Sequence, residues 1–265
     1  MKISLCLAVY NEVENIHYAL DSAYDFVDEV VVVDGGSDDG TIEKIKAYGD
    51  KIKLVQTDNP PMFHINKQKA IEVATGDWII QLDADEAITP ELREEIKQIV
   101  ANPEALNAYW MPRKNYFLGT FLMKGGQYPD STIRLYKKGT AHFPCKSVHE
   151  QVEIEGGAAQ TGTLKHDLMH FADPSFERYL MRWNRYTTLD AMLLVKEGKK
   201  PGAWDFWDYF VFKPFSWFFW TYFRHKGFMD GFAGFVFSLF SSIRFWVIYI
   251  KWCSPVQVPA QQHGD

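Results

Sequence analysis

Through the first hundred residues, short apolar runs alternate with segments whose apolar positions recur at helical spacing. Residues 3–9, 29–33, 52–56 and 78–82 read as strands, and 14–26, 42–48 and 67–74 as helices. Such alternation predicts βαβ units and a mostly parallel sheet. Thr89-Pro90-Glu91 supplies an N-cap, a proline in the first turn and an acid at the positive end of the dipole, so a helix should run to about Val100. After Asn102-Pro103 the runs shorten. Residues 108–116, 132–136, 148–154 and 164–171 read as strands between glycine-rich turns, an antiparallel extension of the sheet. Residues 174–197 return to helical spacing through Phe176, Tyr179, Leu180, Trp183, Tyr186 and Leu189. Gly198-Lys199-Lys200-Pro201-Gly202 interrupts that helix, and two aromatic segments, 203–223 and 228–252, follow.

Composition divides the chain in the same place. Of 9 Trp, 13 Tyr and 20 Phe, 22 lie between Trp204 and Trp252. The whole chain carries a net charge of −6, yet Lys199 to Cys253 holds seven Lys/Arg against three Asp/Glu. An acidic body gives no basic field for nucleic acid, which is set aside as a partner. Cys6, Cys145 and Cys253 are too scattered for a disulfide framework or a zinc site. Met1-Lys2 and the short run after it make poor signal-peptide material and read as a first buried strand.

In open α/β sheets, ligands gather at the carboxyl ends of the strands. Here those ends read Val9-Tyr10-Asn11-Glu12, Asp34-Gly35-Gly36-Ser37-Asp38-Asp39-Gly40-Thr41 and Asp83-Ala84-Asp85-Glu86. Any one of these could be only a turn, since Asp, Asn and Gly serve turns well. Three acidic loops on one edge suggest more. Asp83 and Asp85 are two apart, so an extended strand end would point both carboxylates to one side, where they could share Mg²⁺ or Mn²⁺ with a diphosphate. Neither a Walker loop nor a G-x-G-x-x-G follows the first strand. His170, after another apolar run, is a candidate third metal ligand or phosphate contact.

These motifs, together with Ala74-Thr75-Gly76-Asp77-Trp78, resemble the family 2 glycosyltransferases of GT-A fold. Arg134-Leu135-Tyr136, Val148-His149-Glu150, His170-Phe171, Asn184-Arg185-Tyr186 and residues 227–232 are similar to the bacterial subgroup that builds the lipopolysaccharide inner core, typified by β-1,4-glucosyltransferases. The resemblance implies inverting transfer of a sugar, glucose from UDP-glucose, onto a lipopolysaccharide or lipooligosaccharide core acceptor, with a divalent cation. It implies a nucleotide-sugar site at Val9, Tyr10, Asn11, Glu12, Asp34, Gly35, Ser37, Lys67, Asp83, Ala84 and Asp85. Asp83, Asp85 and His170 are then the metal candidates. Glu150 matches the late acidic position and is the expected base, with Asp130 in reserve, although strand alternation would put Glu150 on the face of Val152 and Ile154. Asp130, Arg134 and His149 are expected at the acceptor. Three positions depart from the family: Ala8 for a common Pro, Gly35 for a second Asp that often contacts uracil, and Lys67 for an arginine.

The expected organisation is a GT-A catalytic domain at 1–172, a helical connector at 173–202, membrane-interfacial helices at 203–253 and a flexible tail at 254–265. The longest uncharged stretch of the aromatic segment, Gly231 to Ile243, is thirteen residues, short of the roughly 20 that span a bilayer. Basic aromatic helices of this kind suit the interface, and the expected location is peripheral, on the cytoplasmic face of the inner membrane. Other readings are transfer to a polyprenyl-phosphate carrier, a sugar nucleotidyltransferase, a non-catalytic membrane adaptor, and an aromatic subdomain or dimer core in place of membrane helices.

Overall fold

The structure is a computed structural model that describes residues 1–60, 62–145 and 151–254. The elements in chain order are β1 (Ile3–Val9), α1 (Ile16–Ala23), β2 (Glu29–Asp34), α2 (Thr41–Lys46), β3 (Ile52–Gln56), α3 (His64–Val73), β4 (Trp78–Leu82), β5 (Glu86–Ile88), α4 (Pro90–Ala101), β6 (Ala108–Met111), β7 (Arg113–Phe117), β8 (Thr120–Leu122), β9 (Thr132–Lys137), β10 (Ala141–His142), β11 (Glu153–Ile154), β12 (Thr161–Thr163), β13 (Leu168–Asp173), α5 (Phe176–Lys196), α6 (Ala203–Trp207), α7 (Lys213–Phe218) and α8 (Gly231–Cys253). They form two compact units, residues 1–115 with 129–172 and residues 116–128 with 173–265.

The first unit is built on a seven-stranded sheet of order β12-β6-β9-β4-β1-β2-β3. β3, β2, β1 and β4 run parallel, and β9 joins β4 antiparallel, so the expected parallel core with an antiparallel extension is observed. Successive side chains on a strand point to opposite faces, and here both faces are covered. Leu5, Leu7, Val30, Val32, Ile80 and Leu82 pack on one side against Ile16 and Leu20 of α1 and Leu92 and Ile96 of α4. Cys6, Val31, Val33 and Ile79 pack on the other against Ala70 and Ile71 of α3. This explains the uninterrupted apolar runs of the central strands. Helix α4 begins as expected, with the Thr89 hydroxyl accepting the Leu92 N–H at 3.2 Å and Pro90 in the first turn.

Two strand assignments need correction. The run 108–116 is two strands in two sheets, because Pro112 brings no N–H to a ladder: β6 stays in the large sheet and β7 leaves it for a second one with β13 and β5. The strand expected over 164–171 begins only at Leu168, and of the one expected over 148–154 the described part pairs at Glu153–Ile154.

In the second unit, Ser175 caps α5 by accepting the Arg178 N–H at 3.1 Å. Helices α5 and α8 are joined by polar bonds inside apolar packing: Trp183 Nε1 donates to the Phe240 carbonyl at 3.0 Å, and Lys251 Nζ donates to Asn184 O and to the Thr187 and Thr188 hydroxyls at 2.8 Å. Residues 208–212 and 219–224 are π-helical stretches on either side of α7. A Cβ on Gly234 would sit 2.0 Å from the Gly227 carbonyl oxygen, so the turn into α8 requires glycine there. Gly227–Cys253 is long and apolar enough, by length and composition, to cross a membrane, and 39% of its most apolar window is buried within the protein. Counting uncharged residues in a row understated that length, since Arg244 interrupts the run without interrupting the helix.

Candidate active site

The ends of β1, β2 and β4 lie side by side, because β1 pairs with both other strands in parallel. Their loops form two groups of interacting residues. In the first, Asn11 takes φ 55°, a conformation that asparagine tolerates better than most residues. Its N–H donates to Ser37 Oγ at 2.9 Å, and its side-chain carbonyl accepts the Asp38 N–H at 3.0 Å. Asp34 is buried, and its carboxylate accepts the Gly36 and Ser37 N–H groups, both at 2.9 Å. The Glu12 N–H is held by Thr41 Oγ1 at 2.8 Å. Val9 and Gly35 contribute through the backbone, the Gly35 N–H donating to the Val9 carbonyl at 2.9 Å. A Cβ on Gly35 would stand 3.1 Å from Asn59 Cβ, so Asn59 closes the space where the resemblance expects an aspartate. The Tyr10 ring is exposed beside this framework.

The second group is ionic. Residues 83–86 form a turn, with the Glu86 N–H donating to the Asp83 carbonyl at 3.1 Å, and are not the extended end that the Asp-x-Asp spacing suggested. The two carboxylates therefore face different partners. Asp83 meets Lys67 Nζ and Arg134 Nη2, each at 2.5 Å. Burial alone would push its carboxyl up, but these cations hold it far below the usual carboxylate range. Asp85 instead faces His170, with Oδ1 3.7 Å from Nε2. Ala84 between them is buried.

Behind the turn sits Glu86, fully buried, which sequence reasoning had not selected. Its carboxylate accepts from Arg113 Nη1 at 2.9 Å, Arg134 Nη2 at 2.8 Å and the Asp83 N–H at 2.9 Å. Against the cost of burial, Arg134 and Arg113 keep it ionised with its pKa lowered. Arg113 in turn grips Asp130 through Nε at 3.1 Å and Nη2 at 2.6 Å. Asn115 Nδ2 donates to the same Asp130 oxygen at 3.1 Å. Burial opposes ionisation of Asp130, but Arg113 and these hydrogen bonds prevail and its carboxyl lies below its ordinary value. A carboxylate so engaged is a weak proton acceptor, and its geometry suits positioning.

The chain of bonds fixes the orientation of a histidine. Because the Asn115 amide nitrogen faces Asp130, its oxygen faces His170 Nδ1 at 2.6 Å. Nδ1 then donates to that oxygen, which turns Nε2 toward Asp85. A histidine oriented by an outer hydrogen bond and set beside a carboxylate is the arrangement metal-binding histidines use. Among the described residues no group of three or more His, Cys, Asp or Glu is placed to hold a metal. The Asp85 and His170 pair offers one oxygen and one nitrogen donor, a set that fits Mn²⁺ with further ligands from a diphosphate.

Lys67, Asp83, Arg134, Asp130, His170 and Asp85 are thus one connected network, whereas Val9, Tyr10, Asn11, Glu12, Asp34, Gly35 and Ser37 belong to the neighbouring loops. His149 and Glu150 lie outside the described residues. Glu86, Arg113 and Asn115 were missed because each acts through another side chain. The one available signal was a third acid directly following Asp83-Ala84-Asp85.

Residues 4–150 match the signature of Glycosyl transferase family 2. The chain belongs to this family, and its fold is that of the GT-A glycosyltransferases. It is 29% identical over 178 residues to the lipopolysaccharide core biosynthesis glycosyltransferase LpsC of Rhizobium meliloti, a match covering 65% of this chain and 64% of that one. The mannosyltransferase PcManGT of Pyrobaculum calidifontis, solved with GDP-Man and Mn²⁺, is similar over 95% of this chain and 86% of its own, with TM-score 0.55 and 14% identity. Residues 1–349 of S. aureus TarS, solved with UDP-GlcNAc, are similar over 96% of this chain and 89% of that one, with TM-score 0.52 and 16% identity.

Proposed function

We propose that this protein transfers a sugar, glucose from UDP-glucose, with inversion onto a membrane-anchored acceptor of the lipopolysaccharide inner-core type. The observation that carries this reading is the Asp85 and His170 pair, oriented through Asn115 and Asp130 at the strand ends of a family 2 fold. Relatives support the finer points: one acts in lipopolysaccharide core biosynthesis by name, and fold neighbours were solved with UDP-GlcNAc and with GDP-Man and Mn²⁺.

Tyr10, exposed beside the loops of β1 and β2, offers a face for the base, and the loop backbone around Asn11 and Ser37 offers groups for the ribose. Asp85 and His170 would hold the divalent cation, which when bound neutralises charge on the departing diphosphate. In the transfer itself, the acceptor oxygen bonds to the anomeric carbon as the bond to the diphosphate oxygen breaks. The hydroxyl proton passes to a carboxylate, assigned from the sequence to Glu150. The bonds from Arg113 and Asn115 to Asp130 favour a positioning role for that carboxylate over the base.

The test is a panel of UDP-glucose, UDP-GlcNAc and GDP-mannose with Mn²⁺ and a lipooligosaccharide core acceptor, followed by nucleotide release. UDP-glucose should turn over fastest. Glu150→Gln should retain donor affinity and lose about 10²-fold or more in turnover, within the usual range for general base catalysis. Normal turnover in that variant would remove Glu150 from the mechanism.

The membrane part of the reading concerns residues 203–253. Trp204, Phe215 and Phe232 are 72%, 71% and 76% exposed, which is high for large apolar rings. Exposed rings on basic helices favour the headgroup region of anionic bilayers. Replacing all three with serine should therefore reduce co-flotation with anionic liposomes while UDP binding stays unchanged. Added salt should weaken wild-type binding only in part, because ring burial is not screened. Full recovery of the wild-type protein in the soluble fraction at low salt would favour an aromatic subdomain.

A further inference from the structure

The second unit contains a cleft of about 880 Å³ between the loop 125–127, the helical stretch 216–225 and α8. Among the described residues its lining includes Arg244 and His225 and no Asp or Glu. Arg244 is held between two rings, its guanidinium 4.9 Å from the centre of Trp217 and 5.0 Å from that of Phe245. Its Nε is buried without a hydrogen-bond partner. A guanidinium has five N–H donors, and a buried Nε–H without an acceptor is costly to leave unsatisfied. An oxyanion in the cleft would satisfy it.

The surroundings narrow the ligand further. Trp217 and Trp220 line the cleft and are also 40% and 51% exposed, so the site for an anion opens onto apolar surface. Arg224 stacks near Trp220 at 5.9 Å, and Lys226 is exposed on the same turn, adding positive charge at the mouth. The site is also built to hold its shape: the Gly125 N–H donates to the His225 carbonyl at 2.9 Å, and the Lys124 N–H donates to Asp230 at 2.7 Å. Phe237, Ser241 and Arg244 also line an adjoining cavity of about 260 Å³, so Arg244 borders both. That far end is lined by Arg182, which is engaged with Asp173, and by Asp190, whereas the larger cleft has no carboxylate on its lining among the described residues. Inorganic phosphate would occupy little of such a volume and none of its aromatic rim.

We propose that this cleft binds the phosphoryl headgroup of an amphiphile, with Arg244 contacting the phosphate oxygens and Trp217 and Trp220 flanking the first part of the hydrocarbon chain. The proposal rests on the membrane reading above and adds to it a specific ligand class and a residue that recognises it. A phosphate presents several oxygens to the planar donors of arginine, and the ring faces remain for the chain.

Titration calorimetry with dodecyl phosphate below its micelle concentration tests the assignment, with inorganic phosphate and dodecyl maltoside as the other arms. The full-length wild type should bind dodecyl phosphate saturably, inorganic phosphate at least tenfold more weakly, and the maltoside without saturation. Arg244→Gln should weaken dodecyl phosphate binding at least tenfold, and Arg244→Lys less. Ser216→Phe, at an exposed position on the lining, should block the cleft without entering the core, and it decides the matter if Arg244→Gln does not fold. Equal affinity for inorganic phosphate would reduce the site to a free-anion site and overturn the proposal. So would unchanged binding in Ser216→Phe and Arg244→Gln, or equal binding of the maltoside. Flotation separates the two readings: Arg244-dependent binding by a protein that does not float sinks the membrane reading alone, and flotation with Arg244-independent binding sinks the cleft alone.

Discussion

Glu86→Gln is expected to destabilise the first unit by about 3 kcal/mol, the lower end of what removing one partner from a buried ionic network costs. The glutamate is fully buried and faces two guanidiniums, Arg113 at 2.9 Å and Arg134 at 2.8 Å. An amide fills the same volume but leaves those charges with less compensation. The remaining partners, Asp130 for Arg113 and Asp83 for Arg134, keep the loss from being larger. Urea unfolding of both proteins at neutral pH reads the difference, and an equal midpoint would show that the network contributes nothing net. The pH dependence has a definite sign. Burial raises the Glu86 pKa and the arginines lower it further, leaving a net depression. A depressed folded-state pKa gives stability that is fully present above the unfolded value of about 4.3 and is lost as pH falls through the folded value. Wild-type stability should therefore fall on acidification below about pH 4 more steeply than that of Glu86→Gln.

This network also marks the limit of what the sequence discloses. The central strands were legible because β1, β2 and β4 are apolar on both faces, a pattern that a doubly covered parallel sheet imposes. The start of α4 was legible because Thr89 and Pro90 are local signals that need no tertiary partner. The break at Pro112 followed from a local rule as well, which a single strand over 108–116 overlooked. The turn at 83–86 is different. It depends on Glu86 being drawn inward by Arg113 and Arg134, which stand 27 and 48 positions away. No periodicity within the loop records those partners. The second unit likewise includes residues 116–128, which the pattern assigned to the first 172, through such contacts as Lys124 with Asp230, 106 positions apart.

At the site itself, residue type was easier to read than role. Asp83, Lys67, Arg134, Asp130 and His170 were all selected as candidates, and they share one network. The roles depend on which oxygen or nitrogen faces which neighbour. Asp130 could be a base on sequence grounds, yet one of its oxygens accepts three hydrogen bonds. His170 could be a structural histidine, yet the Asn115 amide directs its Nε2 to Asp85. Asp83 and Asp85 looked equivalent until the turn separated them.

That separation leads to the second large effect. Asp85→Asn is expected to weaken Mn²⁺ binding in the presence of UDP by at least about 10²-fold and to cost transfer in proportion, because it removes the carboxylate of the two-residue donor set. Its effect on folding should be the smaller one, since the ion pair it weakens, to His170 at 3.7 Å, is long. Asp83→Asn should behave in the opposite way. It removes the counter-charge of Lys67 and Arg134, both largely buried, so the folded state suffers first. Asn115→Leu provides a third point, because the Asp85 carboxylate survives while the His170 ring loses its orienting bond. About 10- to 100-fold weaker Mn²⁺ binding is expected there, the range for outer hydrogen-bond partners of metal ligands. Calorimetric titration of Mn²⁺ with UDP present, together with thermal melting of each variant, separates these cases. If Asp85→Asn binds Mn²⁺ normally while Asp83→Asn folds normally and does not, the cation belongs on Asp83, and the Asn115 to His170 bond serves only to pack β7 against β13.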